Sequence, residues 1–243
     1  YMPLEEELRK VKMVVTDVDD TLTYNWILSC KAVEAVRKLE SVGIKVTLVT
    51  SNSAAFIATF AKYLGISGYV IAEGGAVILD TNFNILCMVK PPEFDRDKII
   101  KVMEKLGFKS IFNEVKFVDL GFFRTEKSRS ITIDEIRKEL EKAGIKDVEI
   151  YDSKYAVHVL PKGANKANAI LKVLEFAGLS VDDIIVIGDG DNDIPMFKIA
   201  KLTAAPANAT EGLRKYAKII ASKPNGEGFA EIAEMIIKAK ETK

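Results

Sequence analysis

The chain has few of the residue types that would commit it to a disulfide, metal-finger or membrane architecture. Two of its 243 residues are cysteine, Cys30 and Cys87. They lie far apart, which gives neither a disulfide framework nor the spacing of a zinc site. No apolar run approaches the roughly 18 residues that a membrane span needs. The first segment, Tyr1 to Lys12, is charged and lacks the apolar core of a signal peptide. Neither sign of charge is in excess: 35 lysines and arginines meet 35 aspartates and glutamates. That balance leaves no bulk attraction to nucleic acid or to an acidic membrane, so any affinity for anions must be local. Internal repeats and low-complexity tracts are lacking too. What remains is 48% hydrophobic, enough for a substantial core in one large unit or in a core plus a smaller one. The expectation is a soluble, cytoplasmic protein.

Strand and helix signals alternate at both ends of the chain. Met13 to Asp17, Lys45 to Thr50, Tyr69 to Ala72, Ile184 to Ile187 and Leu202 to Ala205 read as short buried strands. Between them, Ser29 and Ser53 open helices that Gly43 and Gly65 close, Asn165 to Phe176 and Ile194 to Ala200 read as helices, and Phe229 to Ala239 closes the chain. This is the pattern of a parallel sheet with helices on its faces. The middle differs. Ala76 to Leu79 and Ile85 to Val89 flank an Asp80-Thr81-Asn82 turn, and Pro91-Pro92 breaks the chain. A helix over Asp95 to Leu106 follows, then a Thr132/Glu135 capping box and two paired strands around Asp152-Ser153-Lys154. The fold class is therefore α/β: a discontinuous, Rossmann-like parallel-sheet core over residues 1–82 and 160–243, with an inserted α+β cap over 83–159.

Four segments carry candidate chemistry. Asp17-Val18-Asp19-Asp20-Thr21 follows the first strand directly. Ligands in open α/β sheets bind beyond the carboxyl ends of strands. Paired carboxylates there repel unless a cation lies between them, and Mg²⁺ prefers hard oxygen ligands. An acidic surface turn is the plainer alternative. Gly188-Asp189-Gly190-Asp191-Asn192-Asp193 adds carboxylates after another apolar strand. An EF-hand loop would need Glu at its twelfth position, where Ala200 stands counting from Asp189. Thr50, Ser51 and Asn52 end a strand before a helix, where hydroxyls can hold a phosphate oxygen or merely cap the helix. Lys166 stands at a helix start, against the macrodipole, which suggests work at an anion. His158 reads as a packed or hinge-side residue, and Trp26 as a loop anchor.

Taken in order, Asp17-Val18-Asp19 with Thr21-Leu22, then Thr50, then Lys166, then Gly188-Asp189 with Asn192-Asp193 resembles the four motifs of the haloacid dehalogenase superfamily. The insert resembles that superfamily's large α/β cap class, and Glu73-Gly74-Gly75-Ala76 resembles the segment leading into it. The overall look is similar to archaeal phosphoglycolate phosphatases. The resemblance implies Asp17 as nucleophile and Asp19 as general acid and base. It implies Thr50, Ser51 and Lys166 on the phosphate, and Mg²⁺ held by Asp17, the main-chain carbonyl of Asp19, Asp189 and Asp193, with Asn192 in support. In the cap, Arg124 and Arg129 are candidates for a substrate carboxylate. The expected partner is a small phosphate ester, phosphoglycolate among them, with no nucleic acid and no membrane. A cap surface or a core helix offers a face for a homodimer. An acid two residues after the nucleophile favours ester over halide, since an alkoxide needs a proton and halide does not. A phosphosugar mutase and a phospho-Asp signalling module stay open as alternatives. Two departures stand out: Asp20 occupies a position where relatives usually have Gly, and Thr50-Ser51-Asn52 replaces their Thr-Gly-Arg.

Overall fold

The computed structural model describes residues 3–153 and 155–241. Lys154, in the turn expected at 152–154, lies outside the described residues, as do both chain ends.

An eight-stranded sheet forms the core. Its order is Ile219–Ile220, Leu202–Ala205, Ile184–Ile187, Met13–Asp17, Lys45–Val49, Val70–Ala72, Val77–Leu79, Ile85–Met88. The first six run parallel and the last two form an antiparallel edge. Both faces are covered, which is why the central strands are continuously apolar. Met13, Val15, Ile184 and Val186 pack on one face with Ile170, Val173 and Phe197. Val14, Ile185 and Ile187 pack on the other with Val36, Leu39, Ile57, Phe229 and Ile232.

After Met13–Asp17 the chain moves to the strand on one side, and after Ile184–Ile187 to the strand on the other. These two strands are neighbours, in parallel register from Met13 opposite Ile184 to Thr16 opposite Ile187. The crevice beyond their carboxyl ends is a topological switch point, the place where such sheets bind ligands. The loops starting at Asp17 and Gly188 emerge there side by side.

A second, antiparallel sheet in the order Val148–Asp152, Val157–Pro161, Leu120–Phe123, Lys109–Ile111 builds the cap. Two amphipathic helices, Arg96–Lys105 and Ile133–Lys142, cover it through Ile99, Met103, Ile136 and Leu140. The Asp95 side chain accepts from Lys98 N–H at the first, and the Thr132/Glu135 capping box forms at the second.

Sheet membership shifts the expected boundaries. Ile85–Met88 belongs to the large sheet, so a division at 82 cuts a core hairpin; Val157–Pro161 belongs entirely to the small one. Four further elements carried no clear sequence signal: the helix Leu4–Lys10, the short helix Glu211–Arg214, the edge strand Ile219–Ile220 and the hairpin Thr23–Tyr24 with Ile27–Leu28. No helix among the described residues is long and apolar enough to cross a membrane.

Candidate active site

Asp17 ends its strand in a nearly closed environment, 7% exposed. Lys166, the first residue of the helix Lys166–Ala177, reaches it from the other half of the chain. Its Nζ donates to Oδ1 of Asp17 at 2.7 Å and to Oδ1 of Asp193 at 2.5 Å. Burial works against the lysine's charge, but Asp17 and Asp193 outweigh it and hold its pKa above the ordinary value. A lysine poorly placed against its helix dipole is thus retained by two carboxylates. The Gly75 backbone (φ +107°) lies so close to this helix start that a Cβ there would meet the Asn165 carbonyl oxygen at 2.3 Å.

Asp193 spends its other oxygen on the loop, accepting from the N–H groups of Asp189 at 3.0 Å and Gly190 at 3.1 Å. Asp189 Oδ1 accepts from the Thr21 hydroxyl at 2.9 Å. Carboxylate oxygens of Asp17, Asp189 and Asp193 lie within 4.8 Å of one another. Burial, then the surrounding carboxylates, push Asp17 well above its usual pKa even with Lys166 beside it. Asp189 is pushed up to about 7 by burial and then Asp193. A buried set of hard oxygen donors with more negative charge than one ammonium can balance fits a divalent cation.

Asp19 also has a raised pKa, chiefly from burial, opposed by Lys166 and by a hydrogen bond from Asn52. That bond, Nδ2 of Asn52 to Oδ2 of Asp19, is 2.9 Å, and the same nitrogen reaches the Thr50 hydroxyl at 3.1 Å. Asn52 therefore ties the second motif to the first, a role its sequence position did not announce. Asp20 has φ 59°, which explains the preference of relatives for Gly; Asp is among the side chains that tolerate this left-handed region. Its carbonyl accepts from Asn208 at 2.9 Å and Asn225 at 2.8 Å, two anchors with no sequence signal.

Asp17, Asp19, Asp20, Asn52 and Asp189 line one wall of a cavity of about 750 Å³ between core and cap, a size suited to a small ligand; Lys166 and Asp193 stand behind that wall. Thr50, Ser51, Asp189 and Asn192 line it with Asp17 and Asp19. The Ser51 hydroxyl is engaged with that of Tyr151 in the cap at 2.8 Å. The cap wall includes Lys116, Ser153, Tyr155 and His158.

Arg124 is placed elsewhere. Its guanidinium grips Asp152 Oδ2 at 2.7 and 3.0 Å and the carbonyls of Ser128 and Ile131 at 2.9 and 2.8 Å. It does not line the cavity, so the structure uses it to hold a cap loop. Arg129 pairs with Glu126 on the surface. His158 is buried and stacks on Tyr151.

Comparison with known proteins gives the family. The family model described as haloacid dehalogenase-like hydrolase matches residues 14–118 and 124–232. The chain belongs to the haloacid dehalogenase-like hydrolases, and it is a phosphatase. Relatives named phosphoglycolate phosphatase from Archaeoglobus fulgidus and Methanopyrus kandleri are 35% and 31% identical, each match covering 93% of this chain and 97% of theirs. A solved structure from Thermoplasma acidophilum superposes with a TM-score of 0.82 at 28% identity, covering 93% of this chain and 98% of that one. A haloacid dehalogenase-like hydrolase from Bacteroides thetaiotaomicron shares the fold, with a TM-score of 0.77 at 21% identity over 93% of this chain and 99% of that one.

Proposed function

We propose that the protein hydrolyses small phosphomonoesters, phosphoglycolate foremost, through a phosphorylated Asp17, with Mg²⁺ as its metal. The observation that carries this is the convergence of Asp17, Lys166, Asp189 and Asp193 at the switch point of the sheet. The Asp17 carboxylate attacks phosphorus in line, and the ester oxygen leaves with a proton from Asp19. Lys166 reduces the repulsion between the attacking carboxylate and the phosphate. Thr50 donates its hydroxyl to a phosphoryl oxygen. Asp19, now ionised, takes a proton from the water that attacks the aspartyl phosphate, releasing phosphate and restoring Asp17.

Asp17, Asp189 and Asp193 would hold Mg²⁺ together with the Asp19 carbonyl. The ion would neutralise the carboxylates and the phosphoryl charge. The unit built on the small sheet, about residues 90–161, acts as the cap that excludes water and meets the leaving group. Phosphoglycolate is favoured because the relatives matched across nearly their whole length carry that name.

Phosphate release from phosphoglycolate with Mg²⁺ tests the reading. Asp17→Asn is expected to lose about 10³-fold or more of kcat while keeping its thermal midpoint. Full turnover in that variant would exclude Asp17 as nucleophile.

A further inference from the structure

The cap side of the cavity holds a charged cluster that the chemistry at Asp17 leaves unused. Asp119 is fully buried. It accepts from Lys116 Nζ, and it is bonded to His158 Nδ1 at 2.9 Å. Burial acts to raise the Asp119 pKa, but the histidine ring and the lysine outweigh it and hold the carboxyl below its usual range.

Lys116 and His158 both border the cavity, whereas Asp119 lies behind them. Among the described lining residues Lys116 is the one lysine or arginine, facing a core wall that carries Asp17, Asp19 and Asp189. An ammonium has three donors, and Asp119 takes one of them.

The loop bearing Lys116 is tied down from three directions. Glu73 accepts from the N–H groups of Phe117, Val118 and Asp119. Arg96 donates to the carbonyls of Asn113 at 2.7 Å and Val118. Asn113 exchanges hydrogen bonds with Gly121. Gly121 stands opposite His158 in the sheet; a Cβ there would lie 3.6 Å from Lys116 Nζ. Burying a lysine and a carboxylate costs desolvation that apolar side chains of similar size would avoid. A purely structural pair has no need to place its lysine on the cavity wall.

We propose that Lys116, with Asp119 and His158 as its positioning residues, binds a carboxylate on the leaving group, so that the cap selects phosphate esters of hydroxy acids. This rests on the phosphatase reading of Asp17 and supplies that site's substrate class. One ammonium matches a singly charged carboxylate better than a second phosphate.

The test compares phosphoglycolate with ethyl phosphate, which has the same carbon count and no carboxylate, in the wild type, Lys116→Met and Lys116→Arg. The wild type is expected to prefer phosphoglycolate in kcat/KM. In Lys116→Met that preference falls about 10- to 100-fold, the scale of one charge-assisted hydrogen bond. The fall comes through KM, and Lys116→Arg restores part of it. A bisphosphate of a short diol, preferred by the wild type over phosphoglycolate, would overturn the carboxylate assignment. An equal fall for both esters would mean a structural role and overturn the proposal. So would a wild type with no preference, an outcome that needs no variant to fold. Wild type inert toward both esters with Mg²⁺ would overturn the Asp17 reading and this proposal with it, whereas turnover of both without preference would leave Asp17 standing.

Discussion

Asp17 and Asp19 stand two positions apart at the end of one strand, yet the proposed reaction requires the first ionised and the second protonated. Burial raises both carboxyls, Asp17 well above its usual value. Asp17 therefore depends on Lys166 at 2.7 Å, and on the cation its site would hold, to be ionised for attack, while Asp19 keeps its proton through burial, against the hydrogen bond from Asn52. Asp19→Asn should therefore slow alkyl phosphate hydrolysis by about 10²–10⁴-fold. With p-nitrophenyl phosphate, whose leaving phenolate needs no proton, the same variant should release a rapid burst of phenolate and then turn over slowly. The burst isolates the first step, and the slow phase is water attack without its base. Rapid-quench kinetics distinguishes this from uniform slowing. Asp189 makes a second prediction at this scale. Its carboxyl, near pKa 7 from burial and Asp193, stays protonated in the metal-free fold where the unfolded chain has lost that proton, above about pH 4. The native state then binds more protons, and stability falls as pH rises through the window from about 4 to 7. Mg²⁺ bound through this carboxylate, as proposed, would displace that proton. Its affinity should rise with pH up to about 7 and then level, with proton release visible by calorimetry in buffers of different ionisation enthalpy.

At the scale of elements, five of the six parallel strands and the Lys166–Ala177 helix were readable because both depend on local pattern: short apolar runs, and a capping Asn165 that accepts from Asn168 N–H; the two-residue Ile219–Ile220 is too short to show one. The closing helix was read from Phe229, but it begins at Asn225. Gly226 and Gly228 obscured its start, since glycine signals a break. Their reason is tertiary: a Cβ at Gly226 would lie 2.2 Å from that of Ser29, and one at Gly228 the same distance from the Lys223 carbonyl oxygen. Ser53 was expected to cap the helix Ala54–Leu64 but makes no side-chain cap bond; the carboxylate of Glu73 accepts from Ala54 N–H instead. No local pattern could show this, because Glu73 acts through partners far along the chain. It has φ 52°, is fully buried, and also holds the N–H groups of Phe117, Val118 and Asp119. Glu73→Ala should strip these donors and cost on the order of 3 kcal/mol. Thermal unfolding would register the loss, and hydrogen exchange should speed up specifically at 117–119; unchanged protection there would refute the linking role.

Across the whole molecule, core and cap are joined by more than a pair of connecting strands. One continuous apolar cluster runs from Val14 and Ile185 under the large sheet through Val77 and Leu79 to Phe94, Leu120, Phe122 and Leu160 in the cap. On the cavity side the ties among the described residues include polar and aromatic ones: Ser51 to Tyr151, and Tyr155, whose hydroxyl donates to Asp20 Oδ2 at 2.8 Å. The apolar side is therefore the packed tie between the two units, and the cavity mouth lies on the opposite, polar side. Trp26 sits at that mouth on the core hairpin, its ring centroid 5.4 Å from that of Tyr155 on the cap. It is the one tryptophan in the chain and is 66% exposed, so emission under tryptophan-selective excitation reports on this residue. Inorganic phosphate with Mg²⁺ should change Trp26 emission as the cap settles over the occupied site. Tyr155→Ala should shift emission to the red without any ligand and remove most of the phosphate-induced change, since the indole then sees water in both states. Emission indifferent to Tyr155→Ala would mean that the mouth is open in solution and that closure, if the reaction needs it, is driven by the substrate itself.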